Sequence, residues 1–266
     1  MVVLPLNVLF YTKSIFRFMI KYVLIGFLFL TFTTSAQEKW GISLSLSNQG
    51  QVDQVLNGFY YPAHETAYQD DATEGKLLNL KYNLTTSYAL KPNLQCRLRI
   101  GFGQRNNESV QDYKPSYWEF NDEQRLLEIA PSIALTEQLG KLTLTGGVEL
   151  PFYIISEFKQ TLYYAEFSDD VMTQYSLYRL SMDGGLIYGV NGFANIRYQL
   201  NKRFSFFTEL NTGIMRSQLG DKFRSYGTVY PTGGTPTDAT PVEFDKVQSK
   251  IYFSAIQAQL GLTVHF

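Results

Sequence analysis

Cysteine is almost missing from this chain. Cys96 is alone among 266 residues, so neither an internal disulfide nor a multi-cysteine metal site is expected. Histidine is scarce as well, with only His64 and His265. The formal net charge is -1, which excludes the basic footprint of a nucleic-acid partner. Beyond residue 36 no apolar stretch reaches the ~20 residues that a spanning helix needs. No Gly/Ser/Pro linker and no second compositional zone divides the remainder, so one domain is expected over 37–266. The residues call for no cofactor and no metal.

The N-terminus carries Lys13, Arg17 and Lys21, then an apolar run over 22–32, then Thr34-Ser35-Ala36 before the polar Gln37. This order makes 1–36 a secretory signal, with cleavage expected after Ala36 and Met19 as an alternative start. The run is too short to favour a retained anchor, and no cysteine follows it to carry a lipid.

Aromatic residues are plentiful at 15%. Eight runs show period-2 alternation: 40–48, 78–90, 94–102, 127–135, 142–154, 186–200, 204–214 and 252–266. In the first, Trp40, Ile42, Leu44 and Leu46 alternate with Gly41, Ser43, Ser45 and Ser47. In the last, Tyr252, Ser254, Ile256, Ala258, Leu260, Leu262, Val264 and Phe266 form one face. Side chains alternate faces along a strand, so repeated period-2 patterning predicts an all-β chain. The connections 91–93, 137–141 and 201–203 are short and polar. The others, 49–76, 103–123, 155–185 and 216–250, are long, and the two kinds alternate. An eight-stranded antiparallel up-and-down transmembrane β-barrel has this layout, with short periplasmic turns and long external loops. Strand-like pieces at 161–167 and 175–180 are read as extensions of strands five and six; ten strands is the alternative count. Pro131 removes a ladder donor inside the fourth run, so a bulge or an early strand end is expected there.

The charges choose the direction of the barrel. The apolar faces of these runs carry no Asp, Glu, Lys or Arg, and the opposite faces are rich in Gly, Ser, Thr and Asn. That suits hydrocarbon outside and a cramped polar lumen inside, and it implies the outer membrane. Trp40, Tyr88, Tyr198, Phe204 and Phe266 fall near the short-turn end, and Phe102, Phe152 and Tyr252 near the long-loop end, as two aromatic girdles would. Lys81, Arg97, Arg99, Glu128, Glu149, Arg197 and Glu209 fall on the lumen face. Rough heights predict two clusters, Lys81, Glu128 and Glu149 above Arg97, Arg99, Arg197 and Glu209, that plug the interior; a narrow ion path is the alternative.

With these runs, the signal and the terminal Leu262-Thr263-Val264-His265-Phe266, the sequence resembles the small outer-membrane β-barrel family, the OmpA/OmpX-like domains of porin-family type. The resemblance implies outer-membrane lipid and lipopolysaccharide as surroundings, and reading of Phe266 by the barrel-assembly machinery. Some such barrels deacylate lipid A with a His/Ser pair at the lipid-facing rim. Neither His64 nor His265 sits in a His-x-Ser arrangement, so no catalytic residue is expected. The working surface is expected in the long loops, toward an unknown external ligand. There Phe59-Tyr60-Tyr61, Tyr68, Tyr113, Tyr117-Trp118, Tyr163-Tyr164, Tyr226 and Tyr230 interleave with Asp70-Asp71, Asp112, Asp169-Asp170 and Asp221.

Overall fold

The computed structural model describes residues 39–60, 79–113, 115–168 and 171–266. The expected signal, together with Tyr61, His64, Tyr68, Asp70, Asp71, Asp169 and Asp170, lies outside these residues. The described chain is one antiparallel sheet with one helix. Strands β1 (Trp40–Asn48), β2 (Leu80–Lys91), β3 (Leu94–Tyr113), β4 (Ser116–Leu139) and β5 (Leu142–Glu149) pair each with the next. The short β6 (Phe152–Ile155) continues beside β4. Both β5 and β6 pair β9 (Gly185–Gln199), which pairs β10 (Phe204–Leu219). β10 pairs β14 (Gln248–Phe253) and β15 (Gln257–His265), and β15 pairs β1, so the ladder returns to its first strand. Tight turns join β2 to β3, β4 to β5 and β9 to β10. Gly140, at φ 63°, makes the second. Asn201 makes the third, its Oδ1 accepting from the amides of Arg203 and Phe204 at 2.9 Å each.

The long connections are not loops in the way the sequence predicts. β3 and β4 stay paired out to Tyr113 and Ser116. β7 (Phe158–Ser168) and β8 (Val171–Met182) form a hairpin beside β4. β11 (Lys222–Pro231) adds to β8, and β12 (Thr237–Asp238) and β13 (Val242–Asp245) add to β11. Both predicted strand-like pieces lie in β7 and β8. The stretch 49–60 is a helix instead, α1 (Gly50–Tyr60). Its Val52, Val55, Leu56, Phe59 and Tyr60 recur at helical spacing, and the Gln49 carbonyl accepts from the Val52 and Asp53 amides at 3.0 Å each.

Pro131 neither bulges β4 nor ends it, for it stays in register opposite Leu98. The adjustment falls on the partner. Leu150 donates to the Pro131 carbonyl at 2.9 Å, and the chain breaks between β5 and β6 at Leu150-Pro151. Pro131 cannot return that bond, so the ladder is one donor short at the point where β5 ends.

The sheet is turned inside out relative to a water-soluble protein. Leu98, Ile129, Ile196, Leu210 and Leu262 are exposed, while Ser45, Asn83, Thr85, Asn195 and Gln259 are buried. Inside, small polar groups tie neighbouring strands: Ser43 to Thr263, Gln259 to Ser45 and Gln257 to Ser47, each at 2.8 Å. The main apolar cluster lies at the long-connection end. There α1 lies against Leu126, Tyr153, Ile155, Phe158, Met182, Ile187, Met215 and Leu219. Gly220 (φ 80°) turns β10 toward β11 in this region, and a Cβ on it would stand 2.0 Å from the Lys246 carbonyl and 2.6 Å from the Phe59 ring.

Candidate functional site

Every charged residue predicted for the inner face lies on it, and six of the seven are buried. The two predicted clusters are one network, because Arg99 reaches both. Its Nη2 donates to Glu128 Oε1 at 2.9 Å and to Glu149 Oε1 at 2.7 Å. Its Nη1 donates to Glu209 Oε1 at 3.0 Å. A guanidinium presents five donors in a rigid fork, so one arginine can serve three carboxylates at different heights. Lys81 pairs with Glu128. Arg97 Nη2 donates to Glu209 Oε2 at 2.7 Å, and its guanidinium lies over the Phe193 ring at 4.4 Å. Asn191 and Asn195 add donors to Glu149 and Glu209 at 3.2 and 3.1 Å. Buried charges are tolerable only when paired and hydrogen-bonded to this degree. Arg197 is the exception. It is half-buried and makes no ion pair among the described residues.

Above the network, α1 closes the space. Tyr153 OH donates to Gln51 Oε1 at 2.6 Å, and Tyr252 OH to the Gln51 carbonyl at 3.1 Å. Tyr60 stacks on Phe158 at 4.9 Å and donates to the Asp183 carbonyl at 3.1 Å. Phe59 and Tyr60 are therefore anchors in the interior, not the exposed loop aromatics that the sequence predicts. Burial pushes the Asp53 carboxyl up to about 6, against the pull of Arg105 (3.4 Å away) and of Lys81.

Of the predicted girdle, Trp40, Tyr198, Phe204, Phe102 and Phe152 project outward. Tyr88 is half-buried and packs on Trp40 at 4.8 Å. Phe266 is half-buried after the end of β15. Tyr252 is the correction, since it points inward to α1 while Phe253 is 78% exposed. The cause is an irregularity between β14 and β15. Ala255 and Ile256 are both exposed, whereas Ser254 and Gln257 are buried. A bulge of this kind reverses the alternation on one side of it.

The sheet beyond α1 carries the remaining loop aromatics. Tyr117, Tyr163, Tyr175 and Tyr230 form a continuous row across β4, β7, β8 and β11, with ring centroids 6.1, 5.7 and 4.5 Å apart. On the opposite face Trp118 packs on Tyr164 at 4.1 Å. Tyr226 is exposed. Of the predicted acidic positions, Asp221 lies at the β10–β11 corner. The Asp183 carboxylate is held below its usual range by a hydrogen bond from Arg224, at 3.0 Å.

At the short-turn end, Ser205 Oγ and His265 Nε2 are 2.9 Å apart. Sequence reasoning missed this pair because the residues are 60 positions apart. His265 makes no hydrogen bond to a carboxylate among the described residues, and Ser205 is only 1% exposed.

No family model matches the chain, and no curated protein matches it. Its backbone is similar to several solved structures. A major outer membrane protein from Thermus thermophilus is 10% identical, at TM-score 0.41, over 87% of this chain and 100% of that one. Ail, the attachment invasion locus protein of Yersinia pestis, is 9% identical, at TM-score 0.34, over 87% and 100%. The outer membrane protease OmpT from Escherichia coli is 11% identical, at TM-score 0.37, over 71% and 64%.

Proposed function

We propose that the chain is an eight-stranded, up-and-down, OmpA/OmpX-like β-barrel of the outer membrane, plugged inside and without enzymatic activity. It acts through the sheet it raises on the external side. The observation that carries this reading is the inverted sheet: apolar side chains outside, a paired charge network and α1 inside. The count of eight treats broken strands as single walls. β5, β6 and β7 run in succession along β4. β8 with β9, β10 with β11, and β13 through β15 make the last three. The short turns then face the periplasm, and the tyrosine row faces outward. Lipid suits the exterior, because a charge at mid-depth costs about 2–4 kcal/mol and the outward positions avoid them.

The plug follows from the filling. Eight strands enclose about enough room for their own side chains, and here Arg99 with its three carboxylates occupies the middle. Planar-bilayer recordings of the purified protein are expected to show no stable openings of porin size. Such openings would overturn the plug. Membrane fractionation should place the protein with the outer membrane, and unboiled samples should migrate differently from boiled ones on gels. The Ser205–His265 contact favours a hydrolase as a second reading. The burial of Ser205 and the missing carboxylate argue against it. Lipid A from cells with and without the protein should have the same masses.

A further inference from the structure

Of the seven charges predicted for the inner face, the network pairs all but one. Buried Arg105, farther along β3, is matched by Asp53 of α1, which leaves Lys81, Arg97, Arg99 and Arg197 facing Glu128, Glu149 and Glu209 with one positive charge in excess. The three carboxylates are committed to Lys81, Arg97 and Arg99. The excess therefore sits at Arg197. Its neighbours make matters worse, for the charges that act on it are those of Arg97, which repels it, and of Glu209, which Arg97 and Arg99 already share. Arg197 acts in turn on His265, which Ser205 holds at 2.9 Å.

The hydrogen-bond inventory has a gap in the same part of the interior. Arg97 Nη1, Arg197 Nε and Gln95 Nε2 are all buried donors with no acceptor among the described residues. Arg97 and Gln95 are 7% and 9% exposed, two positions apart on the inward face of β3, close to its turn. Arg197 stands close to the β9–β10 turn, paired across the ladder with Phe207 and Thr143. A buried donor left unmatched costs about 1–3 kcal/mol, and more when it is charged. Three such donors and an unmatched positive charge at one end of the interior define what would satisfy them. It must carry negative charge and several acceptor oxygens, and it must be small.

We infer that the short-turn end of the interior binds a small oxyanion, a phosphate or a carboxylate group, between Arg197, Arg97 and Gln95. Guanidinium groups match such anions through paired N–H donors. Arg197, half-buried rather than enclosed, is the side from which the anion arrives. This site is independent of the tyrosine row and of α1. It can therefore fail without affecting the plugged-barrel reading.

The test uses the full folded protein in uncharged detergent, titrated with inorganic phosphate and followed by isothermal calorimetry and by thermal midpoint. Sodium chloride at equal ionic strength is the control. Phosphate should bind saturably and raise the midpoint above the chloride control. Arg197→Gln should weaken binding at least ten-fold without unfolding the protein, because Arg197 makes no ion pair among the described residues. Gln95→Leu, which leaves every ion pair in place, should weaken it less. A phosphate effect no larger than that of chloride overturns the site, as does wild-type affinity in both variants. Micelles doped with phosphatidic acid separate the sources. Competition with inorganic phosphate assigns a lipid headgroup, and its absence assigns a free anion.

Discussion

Replacing Arg99 by glutamine takes one shared partner from three carboxylates at once. The three losses are unequal. Glu128 keeps Lys81, and Glu209 keeps Arg97 and Asn195. Glu149 keeps only Asn191, at 3.2 Å, and has no other ion-pair partner among the described residues. The cost of Arg99→Gln is therefore mainly that of stranding one buried carboxylate, about 3–5 kcal/mol. Neutralising that carboxylate should recover much of it. The double variant Arg99→Gln/Glu149→Gln should be more stable than Arg99→Gln alone, with a coupling of about 2 kcal/mol or more across the cycle. Equilibrium unfolding by guanidinium in a fixed lipid, followed by tryptophan fluorescence and by gel mobility, measures all four proteins. A single variant within about 1 kcal/mol of wild type, or a strictly additive cycle, would refute the reasoning. Water entering the interior would then be solvating Glu149 in place of the guanidinium.

Three other outcomes are expected. Leu56→Ala, at a fully buried position on α1, should cost about 2–5 kcal/mol in the same unfolding assay. Asp53 has a folded-state value of about 6 against an ordinary 3.8, so it is disfavoured once ionised. Its penalty is absent below pH 3.8, grows as pH rises to about 6 and stays constant above, at about 3 kcal/mol in full. Asp53→Asn should therefore flatten the stability profile between those limits, and an unchanged profile would refute the assignment. Gly220→Ala should destabilise the corner between β10 and β11, because the new Cβ would meet the Lys246 carbonyl at a positive φ. Gly140→Ala, with open space around it, should cost only the backbone term, about 1 kcal/mol. Paired thermal midpoints compare the two.

Much of the fold is written in the period-2 runs. Among the described residues the apolar members of the first seven runs are exposed or half-buried, as hydrocarbon on one side and a cramped lumen on the other would require. The interior charges were legible for the same reason. Their wiring was not, since height along a strand does not say how far an arginine reaches, and Arg99 spans both predicted clusters. α1 was legible too, in the spacing of Val52, Val55, Leu56, Phe59 and Tyr60. That signal is ambiguous, because aromatic residues in a long connection suit an exposed surface equally well. The outer sheet left no such trace. In the proposed barrel, stretches such as 104–113 of β3 lie beyond the lipid, so neither face needs to be apolar. Pairing there rests on cross-strand contacts, such as Tyr175 beside Tyr230, that only the register reveals. The exchange of Tyr252 with Phe253 was hidden because a two-residue irregularity leaves composition untouched.

The doubled outward pair Ala255-Ile256 works as a slip joint. Below it, β15 keeps its own in-and-out rhythm from Gln257 to Thr263, tied to β1 and β10, whatever happens above. Residues can be gained or lost on the far side of that joint, and the outer sheet remodelled, without the closing seam changing step.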